Sequence, residues 1–407
     1  MFYVLAALIL STPTVIENTR VEVGDGTALT NATVIIDEGK ITYVGNEPPI
    51  TNPAKVINGL GKTLTPGFIE TLSTIGLSEV GMEDSTNNYY LEGPKSNATP
   101  AFHVGPAFNP KSVRIPIARA EGITSVIARP VGKLIHGTGI WVELNGKLYG
   151  MGKTLDTPIA MYGAVGARAA GAYGGSKAKL WASFNNMIND SRFYVKKFRD
   201  FERNASRSLS LDEEQLAALI PVTEGKMPLV LKANQASDIL QAIRFCKRHK
   251  LQLVLSGGAE SWQVSKALIN NNVPVIVTPS HQYPTSFEKI FSHDDLASRL
   301  VNAGVKVIIS TSNSMQNIRR LRQEAGRAVT MGLEYAQAIK AITLEPALAF
   351  GKDKELGSVT TGKRANLVLW SADPLELDTV IEHLWIDGEI QSLETRQTKL
   401  AKKYMKP

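Results

Sequence analysis

The side chains with chemical potential in this sequence cluster at the ends of apolar runs. Glu70, Ser73 and Thr74 stand in or just after the run Thr65 to Leu72, Lys232 closes LVLK, and Glu260 follows LVLSGGA. His281 comes after VPVIVTPS, and Ser312 and Asn313 follow VIIST. Lys232 is the most informative of these. An ammonium at the end of a buried strand can hold an anionic ligand, act as base or nucleophile once burial depresses its pKa, or fill a pocket as an ion pair with Glu70 or Glu260. The candidate catalytic residues are therefore Lys232, Glu260 and His281, and the candidate binding set is Glu70, Thr74, Lys232, Ser312 and Asn313. His281 fits an acid or base and equally a loop histidine bonded to backbone.

The same inventory argues against other chemistries. Divalent ions in hydrolases are held by neutral imidazoles and a carboxylate that converge on one point. The six histidines, His103, His136, His249, His281, His293 and His383, include no pair within four residues of each other. No metal centre is expected. Gly61-Lys62-Thr63 and Gly152-Lys153-Thr154 end like a phosphate-binding loop, but Val56 and Lys147 occupy the places of its first glycine, so that mode of nucleotide binding is rejected. The glycine-rich run Gly163 to Ser176, carrying Arg168 and leading to Lys177 and Lys179, either closes over an anion through backbone N–H groups or is a plain flexible loop.

Elements that position these residues follow from the hydrophobic rhythm. Strand candidates recur at Gly67 to Leu72, Ser125 to Ala128, Ile159 to Ala164, Leu229 to Ala233, Leu251 to Ser256, Pro274 to Pro279 and Val305 to Ser310. Helical stretches at Ser237 to His249, Ser261 to Asn270 and Asp294 to Ala303 separate the later ones, which is the βα rhythm of a parallel barrel. Runs such as VKVIIS and VPVIVTP are unbroken, as strands buried on both faces require. Lys133 to Gly146 reads as a hairpin outside this repeat. Ser183 to Gly225 reads as a helical excursion, with Phe193, Phe198 and Phe201 packing inward. Before Thr65, β-branched runs broken at Asp25-Gly26 and Glu38-Gly39 read as an antiparallel sheet, and Gly357 to Trp370 supplies its partner from the far end.

These phrases resemble the amidohydrolase superfamily, in particular its imidazolonepropionase-like members. The stretch KTLTPGFIE resembles the entry to that family's barrel, which leads into a metal-binding His-x-His; the letters here are Glu70, Thr71, Leu72, Ser73 and Thr74. LVLKAN resembles a strand ending in a ligand His-Ala, with Lys232 before Ala233. LVLSGGAE resembles the next, with Ser256, Gly257 and Gly258 covering the histidine position. VIISTSN resembles the strand whose Ser-Asp supplies both ligand and general base, and Ser312 stands there. TVIIDEGKITYVG and GSVTTGKRANLVLW resemble the two halves of the family's β-sandwich, so the resemblance runs over nearly the whole chain. It implies a (β/α)8 barrel over 65–351 and a composite β-sandwich from 13–64 and 352–407. It further implies a hydrolase acting on carbon–nitrogen bonds other than peptide bonds. The family would use zinc or another divalent metal, and its ligand letters are replaced here. The alternative is a barrel that binds a small molecule or a protein without turnover.

Composition sets the remaining bounds. With 43% hydrophobic and 20% charged residues over 407 positions, the chain can bury a large core. The net charge of +7 is spread along the chain, which speaks for a solvated basic surface rather than nucleic-acid binding, and a small anionic ligand is read from Lys232, not from this charge. Cys246 stands alone, so no internal disulfide forms. Met1 to Leu10 has the length of a signal-peptide core, placing the protein in the periplasm or outside the cell if it is one and in the cytoplasm otherwise; no membrane span is expected, and oligomerisation stays open.

Overall fold

The computed structural model describes residues 12–50, 54–91, 98–148, 151–196, 208–311 and 316–405. Two eight-stranded sheets organise it. In the first, β1 (Thr14–Glu22), β2 (Ala28–Asp37), β3 (Lys40–Gly45), β4 (Lys55–Asn58) and β5 (Thr63–Pro66) come from the start of the chain; β14 (Leu367–Trp370), β15 (Ile381–Ile386) and β16 (Glu389–Ile390) come from its end. Glu38 and Gly39 take positive φ of 45° and 79°, the geometry that a two-residue β2–β3 hairpin demands. The two ends of the chain meet where β14 pairs antiparallel with β5, Leu369 opposite Leu64. Ile16, Val34, Ile41, Leu64, Leu367 and Trp385 form the core of this unit.

The second sheet runs β6 (Phe68–Ser73), β7 (Ile123–Ala128), β8 (Ile135–Glu143), β9 (Pro158–Ala164), β10 (Leu229–Ala233), β11 (Leu253–Gly257), β12 (Val275–Val277) and β13 (Val307–Ile309), each paired with the next, as a nearly closed barrel. Side chains alternate across it. Ile69, Ile127, Trp141, Tyr162, Val230, Val254, Ile276 and Ile308 pack together inside, one from each strand. Leu229, Leu231, Leu255, Val275, Val277, Val307 and Ile309 face outward into the core shared with the helices. Both faces are dry, which is why these strands carry unbroken apolar runs.

One expectation is corrected. Lys133 to Gly146 does not lie outside the repeat: β8 pairs antiparallel with both β7 and β9 and is buried along its length. The barrel therefore holds one reversed strand among seven that run together. Trp141 faces in while Ile140 and Val142 face out, so both sides of β8 are buried, and Gly137, at φ 109°, permits close approach where a Cβ would meet the Phe102 carbonyl oxygen at 1.9 Å. Ser183 to Gly225 contains the second half of helix Lys177–Lys196, then helices Glu213–Ala218 and Ile220–Thr223. Phe193 packs beside Tyr194 and Leu216, whereas Phe198 and Phe201 lie outside the described residues, as does Met1 to Leu10. Among the described residues no helix is long and apolar enough to cross a membrane.

The sandwich and the barrel are joined by buried contacts. Trp370 of β14 stacks on Phe68 of β6 at 5.3 Å, donates its indole N–H to Thr65 Oγ1 at 3.0 Å, and lies under the Arg322 guanidinium at 5.7 Å. Arg364 grips Glu143 at the end of β8 and also Asp387 of the sandwich. Burial pushes the Glu143 carboxyl from its ordinary 4.5 up to about 7, against the opposing pull of Arg364. The folded protein thus holds this proton more tightly than the unfolded chain does. Its stabilising contribution is complete below pH 4.5 and is lost as pH rises to about 7. Glu143→Gln is accordingly expected to flatten the fall in melting temperature between those limits; a variant whose pH profile tracks the parent would show that Glu143 titrates normally.

Candidate functional site

Alternation along the strands determines what reaches the barrel mouth. Val230, Val254, Ile276 and Ile308 point inward, so two residues further on Lys232, Ser256, Thr278 and Ser310 point the same way at the carboxyl ends. In barrels of this architecture the carboxyl-terminal face is where chemistry sits. Clefts of about 450 and 540 Å³ lie elsewhere, one lined by Pro228, Pro274 and Lys306 at the amino ends of the strands and one by Trp141, Lys352 and Arg364 against the sandwich.

The Lys232 carbonyl accepts from the Val165 N–H at 2.9 Å, while its ammonium has no ion-pair or hydrogen-bond partner among the described residues and its side chain is open to solvent. Its ammonium nevertheless lies deep enough in the mouth for loss of water to pull its pKa below the ordinary lysine value. The charges of Arg129, Lys289 and Arg168 lower it further, and Glu288 offsets them only in part. Each cation arrives from a different strand end. Arg129 directly follows β7; it is buried, donates its backbone N–H to the Ser73 carbonyl at 2.9 Å, and lies 5.5 Å from the Tyr162 ring centre. Arg168 belongs to the short helix Ala167–Ala170 after β9, and Lys289 to the turn Phe287–Lys289 after β12. Burial lowers the pKa of Lys289 as well. The result is a mouth with an excess of positive charge.

His136, at the mouth end of β8, is kept neutral. Burial, then the charge on Arg129, brings its pKa to about 3, and its Nε2 lies 2.6 Å from the Lys133 carbonyl oxygen, to which it donates. Its Nδ1 is buried without a hydrogen-bond partner.

The carboxylates expected to pair with Lys232 are engaged elsewhere. Glu70 is fully buried and accepts from the Leu72 N–H at 2.8 Å, the Ser310 hydroxyl, the Thr311 N–H at 2.8 Å and the Thr311 hydroxyl at 2.7 Å. It thereby bridges β6 to the residues after β13, the two edges at which the ladder stops. Glu260 turns to the start of helix Ala236–His249, accepting from the Ala236 N–H at 3.0 Å and the Phe291 N–H at 3.4 Å. The expected Lys232 ion pair with either is therefore corrected: both have backbone donors that hold them where they stand.

Of the other candidates, Thr74 is buried and its carbonyl accepts from the Leu77 N–H, while Ser73 Oγ accepts from the Ile75 N–H at 3.0 Å; both shape the turn after β6. His281 ends a short helical turn, Pro279–His281, whose Ser280 is fixed by Glu324 through contacts of 2.6 and 2.8 Å. Ser312 and Asn313 lie outside the described residues. The glycine-rich run does not present a free amide cradle at Ala167, whose N–H is taken by Glu288 at 2.6 Å. Cys246 is buried and its thiol pushed up to about 12, which removes it as a nucleophile. Sequence reading passed over Arg129, the first residue after an apolar run, and Lys289, which sits in a loop with no periodicity to reveal its direction.

Among the described residues, the side chains at the mouth do not form the donor set of a divalent metal pair. The inward positions offer an ammonium and hydroxyls, the nearby imidazole is hydrogen bonded through Nε2, and Glu70 is saturated by protein donors. Among the described residues no three of His, Cys, Asp and Glu come together as a metal site.

Comparison with known proteins places these observations. Residues 225–393 match the sequence model of a family described as "Amidohydrolase family". "Amidohydrolase tasK" of Hapsidospora irregularis is 32% identical over 92 residues, a stretch covering 23% of this chain and 9% of that relative's length. Among solved structures, an amidohydrolase from Thermotoga maritima MSB8 superposes with a TM-score of 0.82 at 24% identity, over 93% of this chain and 99% of that one. Molinate hydrolase (TM-score 0.56, 16% identity, 94% and 95% covered) and A. niger ochratoxinase (0.56, 16%, 93% and 96%) share the fold at lower similarity.

The role of Glu70 is open to direct test. Glu70→Gln keeps the volume but sets an amide N–H₂ against donors, and is expected to cost at least about 3 kcal/mol in urea unfolding. A loss below about 1 kcal/mol would mean that the barrel closes without this carboxylate.

Proposed function

We propose that this chain belongs with the amidohydrolases, a reading supported by the match of its 225–393 segment and by its fold, and that it is a hydrolase acting on carbon–nitrogen bonds other than peptide bonds. Its substrate is a small anionic molecule, and its reaction is run from Lys232 rather than from a metal pair. One observation carries this reading: Lys232 stands at the end of β10 with no carboxylate bonded to its ammonium among the described residues, where the charges of Arg129, Lys289 and Arg168 outweigh that of Glu288. That field attracts an anion, and it also raises the share of neutral amine at a given pH. The neutral amine can take a proton from an attacking water; the water oxygen bonds to the carbon, the carbon–nitrogen bond breaks, and Lys232 returns the proton to the departing nitrogen. Arg168 and Lys289 hold the anionic group.

A second reading has its own support. Glu70, Glu260 and Glu288 each accept from a protein N–H, so among the described residues none of these three carboxylates is left free to act beside Lys232. On this account the mouth binds the same anion without turning it over.

Three measurements separate the readings. Lys232→Met should abolish both anion binding, followed with phosphate and acetate by calorimetry, and hydrolysis of a panel of amides and lactams. Lys232→Arg should keep binding and lose hydrolysis, since a guanidinium stays protonated; retained hydrolysis would remove the base role. Binding in the parent protein without hydrolysis of any panel member would establish the second reading. Because the active base is neutral, the rate should climb with pH through the depressed lysine pKa while anion affinity falls over the same range. Zinc, iron and manganese in the purified protein should total less than about one per chain; stoichiometric metal would overturn the Lys232 mechanism.

A further inference from the structure

The turn that carries Glu288 and Lys289 also carries apolar side chains facing water. Phe287 is 89% exposed, Phe291 58% and Ile290 50%, with Tyr283 at 49% earlier in the same loop. Isolated exposed apolar residues are ordinary; several in one short loop beside a concave charged site are not. The loop is firmly held. The Phe291 N–H donates to Glu260 and its carbonyl accepts from the Trp262 indole N–H at 2.8 Å, the Lys289 N–H reaches the Ser286 carbonyl at 2.9 Å, and Glu288 is tied to Ala167 N–H across the mouth. The rings are thus presented outward by a braced backbone. The immediate neighbours of Phe287 and Ile290 in the chain, Glu288 and Lys289, are two of the groups, with Arg129 and Arg168, whose charges act on Lys232. The loop after β6 exposes Met82 at 99% and Val80 at 53%.

We propose that the ligand of this mouth is an amphiphilic anion: a carboxylate or similar group at Lys232 continued by an apolar body that lies over Phe287, Ile290 and Phe291. This rests on the anion-binding part of the preceding reading and adds the class of molecule. Positive charge at Lys232, Lys289 and Arg168 fixes the polar end, and the exposed rings remove the hydrocarbon end from water. A hydrophilic anion of the same charge would gain nothing from those rings.

Calorimetric titration with acetate, hexanoate and decanoate below micellar concentrations tests this directly. In the parent protein the affinity should rise by about two- to fourfold per methylene as the tail is covered. Phe287→Ser/Phe291→Ser, two changes at exposed positions, should leave acetate binding intact and flatten the dependence on length. Equal affinity for acetate and decanoate would overturn the amphiphile while leaving the anion site standing. No binding of any of the three would defeat the anion site and the amphiphile together. Cosedimentation of the parent protein with phosphatidylglycerol vesicles, abolished in the double variant whose decanoate affinity is unchanged, would assign the rings to a lipid surface and overturn the proposal.

Discussion

The barrel depends on a carboxylate that closes a gap. Its ladder of strands ends at β13 on one side and β6 on the other, and Glu70 joins those edges by accepting from the Ser310 and Thr311 side chains and from a backbone N–H. Such bonds are strong because a charged acceptor meets several donors away from water. The same arrangement takes Glu70 out of the chemistry at the mouth. The carboxylate whose charge does act on Lys232 is Glu288, which is tied to the Ala167 N–H.

That excess is shaped by geometry more than by composition. The net charge of +7 is distributed over the whole chain, yet Arg129, Arg168, Lys232 and Lys289 come from four strand ends and converge on one opening. The acidic residue Glu288 acts on Lys232 as well, and it is held by the Ala167 N–H and lies 3.4 Å from Lys177. Barrel closure, loop bracing and mouth polarity are therefore one connected problem, and Glu260, which fixes both the start of helix Ala236–His249 and the loop at Phe291, belongs to it.

How much of this could be read from the amino acids varies with the range of the interaction. β10 to β13 were legible because both of their faces are buried and their apolar runs are unbroken, and the two-residue period then points Lys232 inward. β8 was misjudged since glycines 137 and 139 and the lone His136 make it look like a surface ribbon, although it is enclosed. The partners of Glu70 lie 240 and 241 residues away, a separation over which no local pattern carries information. The Lys232 pairing failed for that reason: the sequence identifies a cation and two carboxylates near strand ends, but only three dimensions show that each carboxylate already has donors. Arg129 was missed because a single basic residue after an apolar run looks like an ordinary strand terminus.

The pairing of β5 with β14 has a temporal side. Leu64 and Leu369 are direct partners, yet some three hundred positions of polypeptide must leave the ribosome between them. Until then β5 carries an unpaired edge, which is an invitation to wrong association. The late strand acts as a clasp fastened after the intervening barrel has emerged, which makes final assembly a slow event governed by distant contacts.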